Sequence, residues 1–230
     1  MKCMACVLLV AACVNDPDSF PIQPGTGGSA ATSGSDETGD AMLRGRVCVV
    51  DDIISRPCST DGAGGLTVVL GDQTTITNND GTFALTPGLG TDLSFTVSGP
   101  DVVTTSQALS PQLRIPVLRQ QAFNELLTQN GITTLSGTGS VFATLVRGGT
   151  PVSGATATST PSPAFGPFFD TTQPAPWSLN ATGASGIVWF PGLVAGPADL
   201  SFNTLTGGSA IVGGVQVING GITMVETVLP

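Results

Sequence analysis

Short runs of alternating apolar and polar residues, rich in valine and threonine, recur along most of the chain. Between residues 43 and 109 these runs are LRGRVCVV, LTVVL, TTIT, TFAL, LSFTV and VVTTSQAL, separated mainly by glycine, asparagine and aspartate. Runs of this length and period are typical of β-strands, and the residues between them are typical of turns. The pattern predicts an all-β fold. The turn Asn78–Gly81 predicts a tight antiparallel hairpin between TTIT and TFAL.

The same order of strands and turns recurs in the second half of the chain. GTGSVFATLVRGGTPVSGATATST, at residues 137–160, repeats the opening, and Gly186–Phe190 takes the place of Gly81–Leu85. An internal repeat with two copies indicates two structural modules. We therefore predict one small antiparallel β-sandwich over residues 42–118 and a second over residues 136–230.

One segment between these modules has helical periodicity. In RQQAFNELLTQNG, residues 119–131, apolar side chains recur at helical spacing and an Asn-Gly pair ends the pattern. An isolated helix this short is marginal in water, so Phe123, Leu126 and Leu127 should be buried against one module or in the cleft between both. We predict a short helix within a connector at residues 119–135.

A different composition precedes the first strand. Residues 1–12 place one lysine before the apolar run MACVLLVAA, which is the layout of a cleaved signal peptide. The residues that follow are rich in proline, glycine, serine and acidic side chains, which predicts a disordered tether. The tether and the cysteine that begins it occupy residues 13–41.

The string LVAAC, which ends at Cys13, resembles the lipobox of bacterial lipoproteins. That resemblance implies cleavage before Cys13 and attachment of a lipid such as palmitate there. It implies a bacterial cell-envelope protein anchored in a membrane by its N-terminal lipid, with the outer membrane, on its periplasmic or surface face, as the expected location. The alternative is an ordinary thiol in a degraded signal or an N-terminal helix.

The first module is similar to a known family. The strings LRGRV, GGLTVVL, TTITNNDGTFAL and DLSFTVSGPDVVTTSQAL, within residues 43–118, resemble the carboxypeptidase regulatory-like family of transthyretin-like or Ig-like sandwiches. The resemblance implies a non-catalytic role, in which such modules support folding, assembly or substrate presentation beside other domains.

Two cysteines, Cys48 and Cys58, lie in the part of the chain that is expected to fold. In an exported protein, two remaining cysteines predict one disulfide bond. A structural metal site would need about four ligands, and two cysteines without any histidine supply too few. We predict a Cys48–Cys58 disulfide and no metal site.

Side chains that carry catalysis are scarce. The chain has no histidine and no tyrosine, which excludes histidine-dependent triads, imidazole acid–base chemistry and histidine metal centres. Asp51 and Asp52 are adjacent, so on a strand they would point to opposite faces. The formal charge of −9, with Lys2 as the sole lysine, gives no electrostatic basis for binding nucleic acid. We predict no catalytic residues, no cofactor and no nucleic-acid partner.

The segment with the strongest binding character is SPAFGPFFDTTQPAPW, residues 162–177. It sets Phe165, Phe168, Phe169 and Trp177 among four prolines. Rigid aromatic loops offer apolar surface to a protein, a glycan or a membrane, so these four residues form the candidate binding surface. The alternative is that the rings fold back over an open end of the sandwich or onto the first module.

These patterns together predict a non-catalytic envelope lipoprotein with a structural or binding role carried by its β-sandwiches, and an envelope protein as candidate partner. The alternative is a carbohydrate-binding accessory lipoprotein that uses the aromatic side chains of residues 162–177. A glycan-binding role predicts that the indole of Trp177 or Trp189 is exposed to solvent.

Overall fold

The computed structural model describes residues 42–86, 94–108, 113–171, 177–205 and 207–230. The predicted signal peptide, the lipidation site Cys13 and the tether lie outside the described residues. Within the described ranges, no helix has the length and apolar character needed to cross a membrane.

The described residues form short strands and one α-helix, so the predicted all-β fold is confirmed. The helix, α1, spans Gln120–Gln129 and ends at Asn130, within the predicted helical segment. The strands are β1 Leu43–Val50, β2 Thr67–Leu70, β3 Gln73–Ile76, β4 Thr82–Leu85, β5 Ser94–Ser98, β6 Thr105–Ala108, β7 Arg114–Leu118, β8 Thr138–Arg147, β9 Thr150–Pro151, β10 Ala155–Thr160, β11 Phe168–Asp170, β12 Trp177–Ser178, β13 Ile187–Val194, β14 Gly196–Thr204, β15 Ser209–Val217 and β16 Ile222–Val228.

The first sandwich, residues 42–118, packs a three-stranded sheet of order β4-β1-β7 against strands β2 and β5 of a larger sheet. Strands β2, β4 and β5 alternate buried with more exposed side chains, whereas the last four residues of β1 are all buried. In the core, Phe83 and Phe95 meet edge to face with ring centroids 5.7 Å apart. The packed interior consists of Val47, Val49, Ala63, Leu66, Val68, Leu70, Phe83, Leu85, Phe95, Val97, Val102, Ile115 and Val117.

The turn Asn78–Gly81 joins two different sheets, so the predicted hairpin between β3 and β4 is wrong. Strand β3 pairs with β2 in the large sheet, whereas β4 pairs with β1 in the small one. The carbonyl of Gly81 accepts a 2.9 Å hydrogen bond from the backbone N–H of Val47, which ties the turn to β1. Gly81 has φ +82°, which side-chain-bearing residues rarely adopt. The turn residues were identified from the sequence, but they do not specify which strand the chain joins afterwards.

The large sheet contains ten strands and runs through both sandwiches. Its order is β12-β11-β13-β8-β16-β6-β5-β2-β3, and β9 pairs with β8 outside this path. The last strand of the chain, β16, lies between β8 of the second sandwich and β6 of the first. Backbone hydrogen bonds therefore join the two predicted modules directly.

Strand β16 runs parallel to both of its neighbours, with Met224 opposite Phe142 on β8 and Gln107 on β6. Strands β1 and β7 are also parallel, while the other paired strands are antiparallel as predicted. Parallel neighbours need a crossover connection, and here the chain passes through other strands before it returns to pair. The turn residues in the sequence do not indicate which earlier strand a later parallel strand will pair with.

The second sandwich, residues 136–230, packs a three-stranded sheet of order β10-β14-β15 on one face of strands β8 and β13. Side chains alternate along β8, so Val141, Ala143 and Leu145 point into this core while Phe142 points to the other face. The opposite face of β8 and β13 is covered as well. Coverage of both faces explains why these two strands are nearly continuous runs of buried residues.

A third apolar cluster covers that opposite face and combines both sandwiches with α1. Of the three helix residues predicted to be buried, Phe123 and Leu127 are buried in it, and Leu126 is partly buried against it. The cluster consists of Val50, Ile53, Val103, Leu118, Phe123, Leu127, Ile132, Phe142, Trp177, Ile187, Trp189, Ile222 and Met224. The two sandwiches therefore share packed side chains in addition to a common sheet.

Candidate functional site

Four aromatic side chains meet in the third apolar cluster. Phe142 and Trp189 lie stacked, with centroids 5.5 Å apart and ring planes inclined by 7°. Trp177 lies 5.3 Å from Trp189, and Phe168 lies 5.4 Å from it, both in tilted contacts. Offset and tilted ring pairs at these separations are favourable beyond the area that they bury. Trp189 is thus the centre of an aromatic group built from the four strands β8, β11, β12 and β13.

Short strands place the rings of the aromatic segment against Trp189. Strand β11 pairs with β13 so that Phe168 lies opposite Trp189, and β12 pairs with β11 so that Trp177 lies opposite Asp170. Trp189 is fully buried, and Trp177 is 8% exposed. Neither indole presents a face to solvent, so the exposure that a glycan-binding role predicts is not found.

The four residues of the candidate binding surface point in different directions. Phe169 is buried in the core of the second sandwich. Phe165 and Phe168 are partly buried against the third cluster, which also holds Trp177. The described part of residues 162–177 therefore has its rings folded inward, onto the second sandwich and onto the region shared with the first. Residues 172–176 lie outside the described ranges.

The predicted disulfide is confirmed. Cys48 on β1 and Cys58 are joined, with sulfur atoms 2.05 Å apart. The loop that they close returns to β1, where Val49 and Ser59 exchange backbone hydrogen bonds of 3.3 and 3.1 Å. The first strand and the loop that leaves it are therefore held as one unit.

Arg56, inside the disulfide loop, reaches the second sandwich. Its guanidinium donates a 2.7 Å hydrogen bond to the hydroxyl of Thr144 on β8, and its Nε donates to the carbonyl of Ile53. Burial lowers the pKa of Arg56, and the nearby carboxylate of Glu226 on β16 acts in the opposite direction. The disulfide loop thus contributes a charged contact to the junction that the backbone and the apolar cluster already form.

The carboxylates near the end of β1 are each engaged separately. Asp51 forms a 2.9 Å ion pair with Arg119, which also contacts Asp61 at 3.3 Å. Asp52 accepts hydrogen bonds from the backbone of Ile54 and from the hydroxyl of Ser55 at 2.9 and 2.7 Å. Each group therefore stabilises a local turn or the start of α1. Among the described residues, no group of three or more acidic, cysteine or histidine side chains is arranged to hold a metal ion.

Asp170 is a buried carboxylate that the sequence pattern did not single out. It is 1% exposed and accepts three backbone hydrogen bonds, from Gly183 at 3.1 Å, Ser185 at 2.7 Å and Ile187 at 2.7 Å. These bonds satisfy the turn that leads into β13 and so fix the start of the strand that carries Trp189. An acidic residue inside an aromatic run is the only sequence signal of this role.

Comparison with protein-family models and with curated proteins finds no match. Among solved structures, the chain is similar to a streptococcal ancillary pilin, with 15% identity and a TM-score of 0.25 over 84% of this chain and 64% of that one. It is also similar to the Bacillus anthracis TIE protein, with 14% identity and a TM-score of 0.26 over 82% of this chain and 34% of that one. The chain spans less than two thirds of either structure.

Proposed function

We propose that this protein is a non-catalytic, membrane-anchored envelope lipoprotein whose joined β-sandwiches have a structural or binding role. The signal-like residues 1–12 and the string that ends at Cys13 supply the anchor. The tether follows, and the body begins with β1. Strand addition and apolar surface, rather than charge, are the means by which such a body would contact an envelope protein.

The observation that carries this proposal is the position of β16. Because β16 pairs with both β8 and β6, the two sandwiches cannot separate without breaking a ladder of backbone hydrogen bonds. The aromatic cluster and Arg56 add side-chain contacts across the same region. A catalytic cleft between hinged modules needs a junction that opens, whereas a structural part needs a junction that stays closed.

Carbohydrate binding through the aromatic segment is the less favoured function. Sugar-binding platforms use an exposed aromatic face, and the buried indoles of Trp177 and Trp189 count against such a platform. Addition of envelope polysaccharide should leave the tryptophan fluorescence unchanged. A saturable spectral shift would favour glycan binding over the structural role.

Lipidation is tested by metabolic labelling of the full chain with a palmitate analogue in a bacterial host, followed by mass spectrometry. We expect the wild-type protein to carry the label and to begin at Cys13, and a Cys13→Ser variant to carry none. Cys6→Ala, which retains a small apolar residue inside the signal-like run, is the matched control and should be labelled like the wild type.

Two outcomes would contradict the anchored part of the proposal. One is a wild-type protein that retains Met1 and carries no lipid. The other is a Cys13→Ser variant that is labelled as strongly as the wild type. Separately, a pull-down from bacterial membranes with the lipidated protein should recover envelope proteins. If a control pull-down from membranes that lack the protein recovered the same envelope proteins in equal amounts, the binding role would be contradicted.

A further inference from the structure

Strand β15 forms one edge of the sheet β10-β14-β15. It is nine residues long and pairs with β14 on one side, and no described strand pairs with its other side. A β-strand with one free side presents a row of N–H and C=O groups that can pair with another strand. This edge is therefore the place where the fold is most able to accept a further strand.

The other sheet edges are shortened or interrupted. Among the described strands, β12 has two residues, β3 and β4 have four each, and β7 contains Arg114 and Pro116. Strand β10 is covered at its start, because Ala155 and Thr182 exchange hydrogen bonds of 2.9 Å through backbone and hydroxyl groups. Short edges, charges and proline are the usual devices that prevent edge-to-edge pairing. Strand β15 has neither a charge nor a proline.

The core beneath β15 is incompletely covered. Ala210 and Val212 pack against the core of the second sandwich but remain partly exposed, since the sheet ends with their strand. On the outer face, Ile211 is 76% exposed. One added strand would remove apolar surface from water on both faces of the sheet, which favours its binding.

Hydrogen-bond alternation identifies the backbone groups that face outward. The N–H of Thr204 donates to the carbonyl of Gly208 at 2.8 Å, and antiparallel pairs alternate from there along the register of β14 with β15. Ser209 and Ile211 consequently direct their N–H and C=O groups away from β14. Beyond them, Gly214 donates to the carboxylate of Asp199 at 2.9 Å, where the register shifts. The segment open to pairing is therefore Ser209–Gly213.

Charge indicates which partner fits this segment. The chain has a formal charge of −9, so two copies repel one another over most approaches. Residues 200–225 contain no charged side chain, so the open segment itself adds nothing to this repulsion, and the carboxylate of Asp199 lies beyond its end, at Gly214. An antiparallel strand pair about a two-fold axis is self-complementary, because each strand supplies both donors and acceptors.

We propose that two copies of this chain associate through their β15 edges, with Ile211 opposite Ile211 of the second copy. The two three-stranded sheets then form one six-stranded sheet across a two-fold axis. Ser209 of each copy lies opposite Gly213 of the other. The four half-exposed side chains Ala210 and Val212 of both copies cover one another, and the two Ile211 side chains meet on the outer face.

Sedimentation equilibrium tests this dimer. The full-length chain is used with Cys3, Cys6 and Cys13 all replaced by serine, so that neither lipid nor a stray thiol determines its mass. We expect a reversible dimer, and we expect Ile211→Lys to raise its dissociation constant by more than about tenfold, because it opposes two like charges at the axis. Ile76→Lys, at the 64% exposed end of β3, is the matched control and should leave the dimer intact.

Cysteine cross-linking tests the register. Residues that exchange both backbone hydrogen bonds across an antiparallel pair lie about 5.5 Å apart at Cα, within the range that a disulfide spans. In the same serine background, Ile211→Cys should give a cross-linked dimer on mild oxidation. Ser209→Cys should not, since its two copies would lie roughly 13 Å apart, four residues along the strand at about 3.3 Å each.

The proposal is overturned by a wild-type protein that stays monomeric at its highest soluble concentration, or by a dimer that Ile211→Lys leaves unchanged. Cross-linking of Ile76→Cys as readily as Ile211→Cys would also overturn it. Cooperative thermal unfolding of the Ile211→Lys monomer would show that the loss of association does not result from a failure to fold. If that variant fails to fold, the Ser209→Cys and Ile211→Cys pair still decides the register.

Discussion

The two sandwiches share one sheet but are stabilised by different means. The first carries the disulfide and most of the charged side chains that the structure describes, including the ion pairs of Arg119 with Asp51 and Asp61. The second has few charges and no disulfide, and its strands hold four of the five largest fully buried side chains, Trp189, Phe142, Phe190 and Phe202, while Phe95 of the first sandwich is the fifth. The first sandwich is cross-linked near the end of its first strand, whereas the second is stabilised mainly by large buried apolar side chains.

This difference follows from how many faces each set of strands has to bury. In the second sandwich, β8 and β13 are covered on both faces, so almost every side chain contributes apolar area. In the first, the outward positions of β2, β3 and β4 are polar or partly exposed, and less apolar area is available. In the first sandwich, the disulfide and the local ion pairs add stability where the buried apolar area is smaller.

The largest effect is expected from removing the centre of the aromatic cluster. Trp189→Ala should lower the free energy of unfolding by about 3 to 5 kcal/mol, because it leaves a large cavity in the region that both sandwiches share. Chemical denaturation measures this loss. Leu179→Ala, at a side chain that is 67% exposed, is the control and should change stability by less than about 0.5 kcal/mol.

Trp189→Phe sharpens the same test. The indole nitrogen of Trp189 is buried and has no hydrogen-bond partner among the described residues, so phenylalanine removes an unsatisfied donor together with part of the ring. The loss should be clearly smaller than for alanine. Equal losses for the two variants would contradict a role based on packed ring volume.

The next largest effect should come from the one buried carboxylate of the second sandwich. Asp170→Ala leaves three backbone N–H groups without their acceptor, and each unsatisfied group costs about 1 to 3 kcal/mol. We expect a loss of about 3 kcal/mol or more in equilibrium unfolding. Asp199→Ala, which removes an exposed acceptor for Gly214, should cost about 1 kcal/mol or less. Similar losses for both would show that burial of Asp170 does not matter.

A smaller effect is expected from the disulfide of the first sandwich. Replacing Cys48 and Cys58 together by serine should lower the free energy of unfolding by about 2 to 3 kcal/mol, the chain-entropy contribution of a ring of this size. Amide exchange should rise most in β1 and in the loop around Arg56. Reductant should reproduce the loss in the wild type and have no further effect on the double variant. Exchange that rises equally in β14 would remove the contrast between the two sandwiches.

The smallest effect concerns Asp80, in the turn that links the two sheets of the first sandwich. The hydroxyl of Thr82 donates a 2.7 Å hydrogen bond to this carboxylate, its backbone N–H donates another, and Arg46 lies nearby, so the pKa of Asp80 is lowered. A lowered folded-state pKa contributes stability above the ordinary value of 3.8, and that contribution is lost as the pH falls through the folded-state value.

Nuclear magnetic resonance titration should find the Asp80 carboxyl titrating below 3.8 in the wild type and nearer to it in Thr82→Val. In Asp80→Asn the loss of stability in this acid range should be slightly weaker than in the wild type. An unshifted titration would show that the turn does not use the ionised carboxylate.

The sequence predicted the strands, the helix and the disulfide because each depends on local pattern or on a single pair of residues. LRGRVCVV became β1, although its last four residues are all buried rather than alternating, and the helix lies at residues 120–129 within the predicted segment. The register between distant strands depends instead on the whole set of buried side chains. For that reason the turn at Asn78–Gly81 was assigned to a hairpin, and the return of β16 to the middle of the sheet was not foreseen.

The candidate site shows the same limit. Composition identified the aromatic segment at residues 162–177, but exposed and buried rings have the same sequence pattern. What decides their burial is the pairing of β11 with β13, which sets Phe168 opposite Trp189. The sequence did not single out the edge at β15 either. Residues 200–225 are uncharged, but so are residues 171–198, and only the strand order shows which of these stretches forms a sheet edge.

The central position of β16 constrains the order in which the protein can be built. Residues Ile222–Val228 are synthesised after β6 and β8, yet they lie between these two strands. Until β16 is present, β8 and β6 each have an unpaired side, and unpaired strand edges promote aggregation. A chain that stops before residue 222 should therefore aggregate rather than fold in part. Synthesis of β16 is thus required before the two sandwiches can assemble.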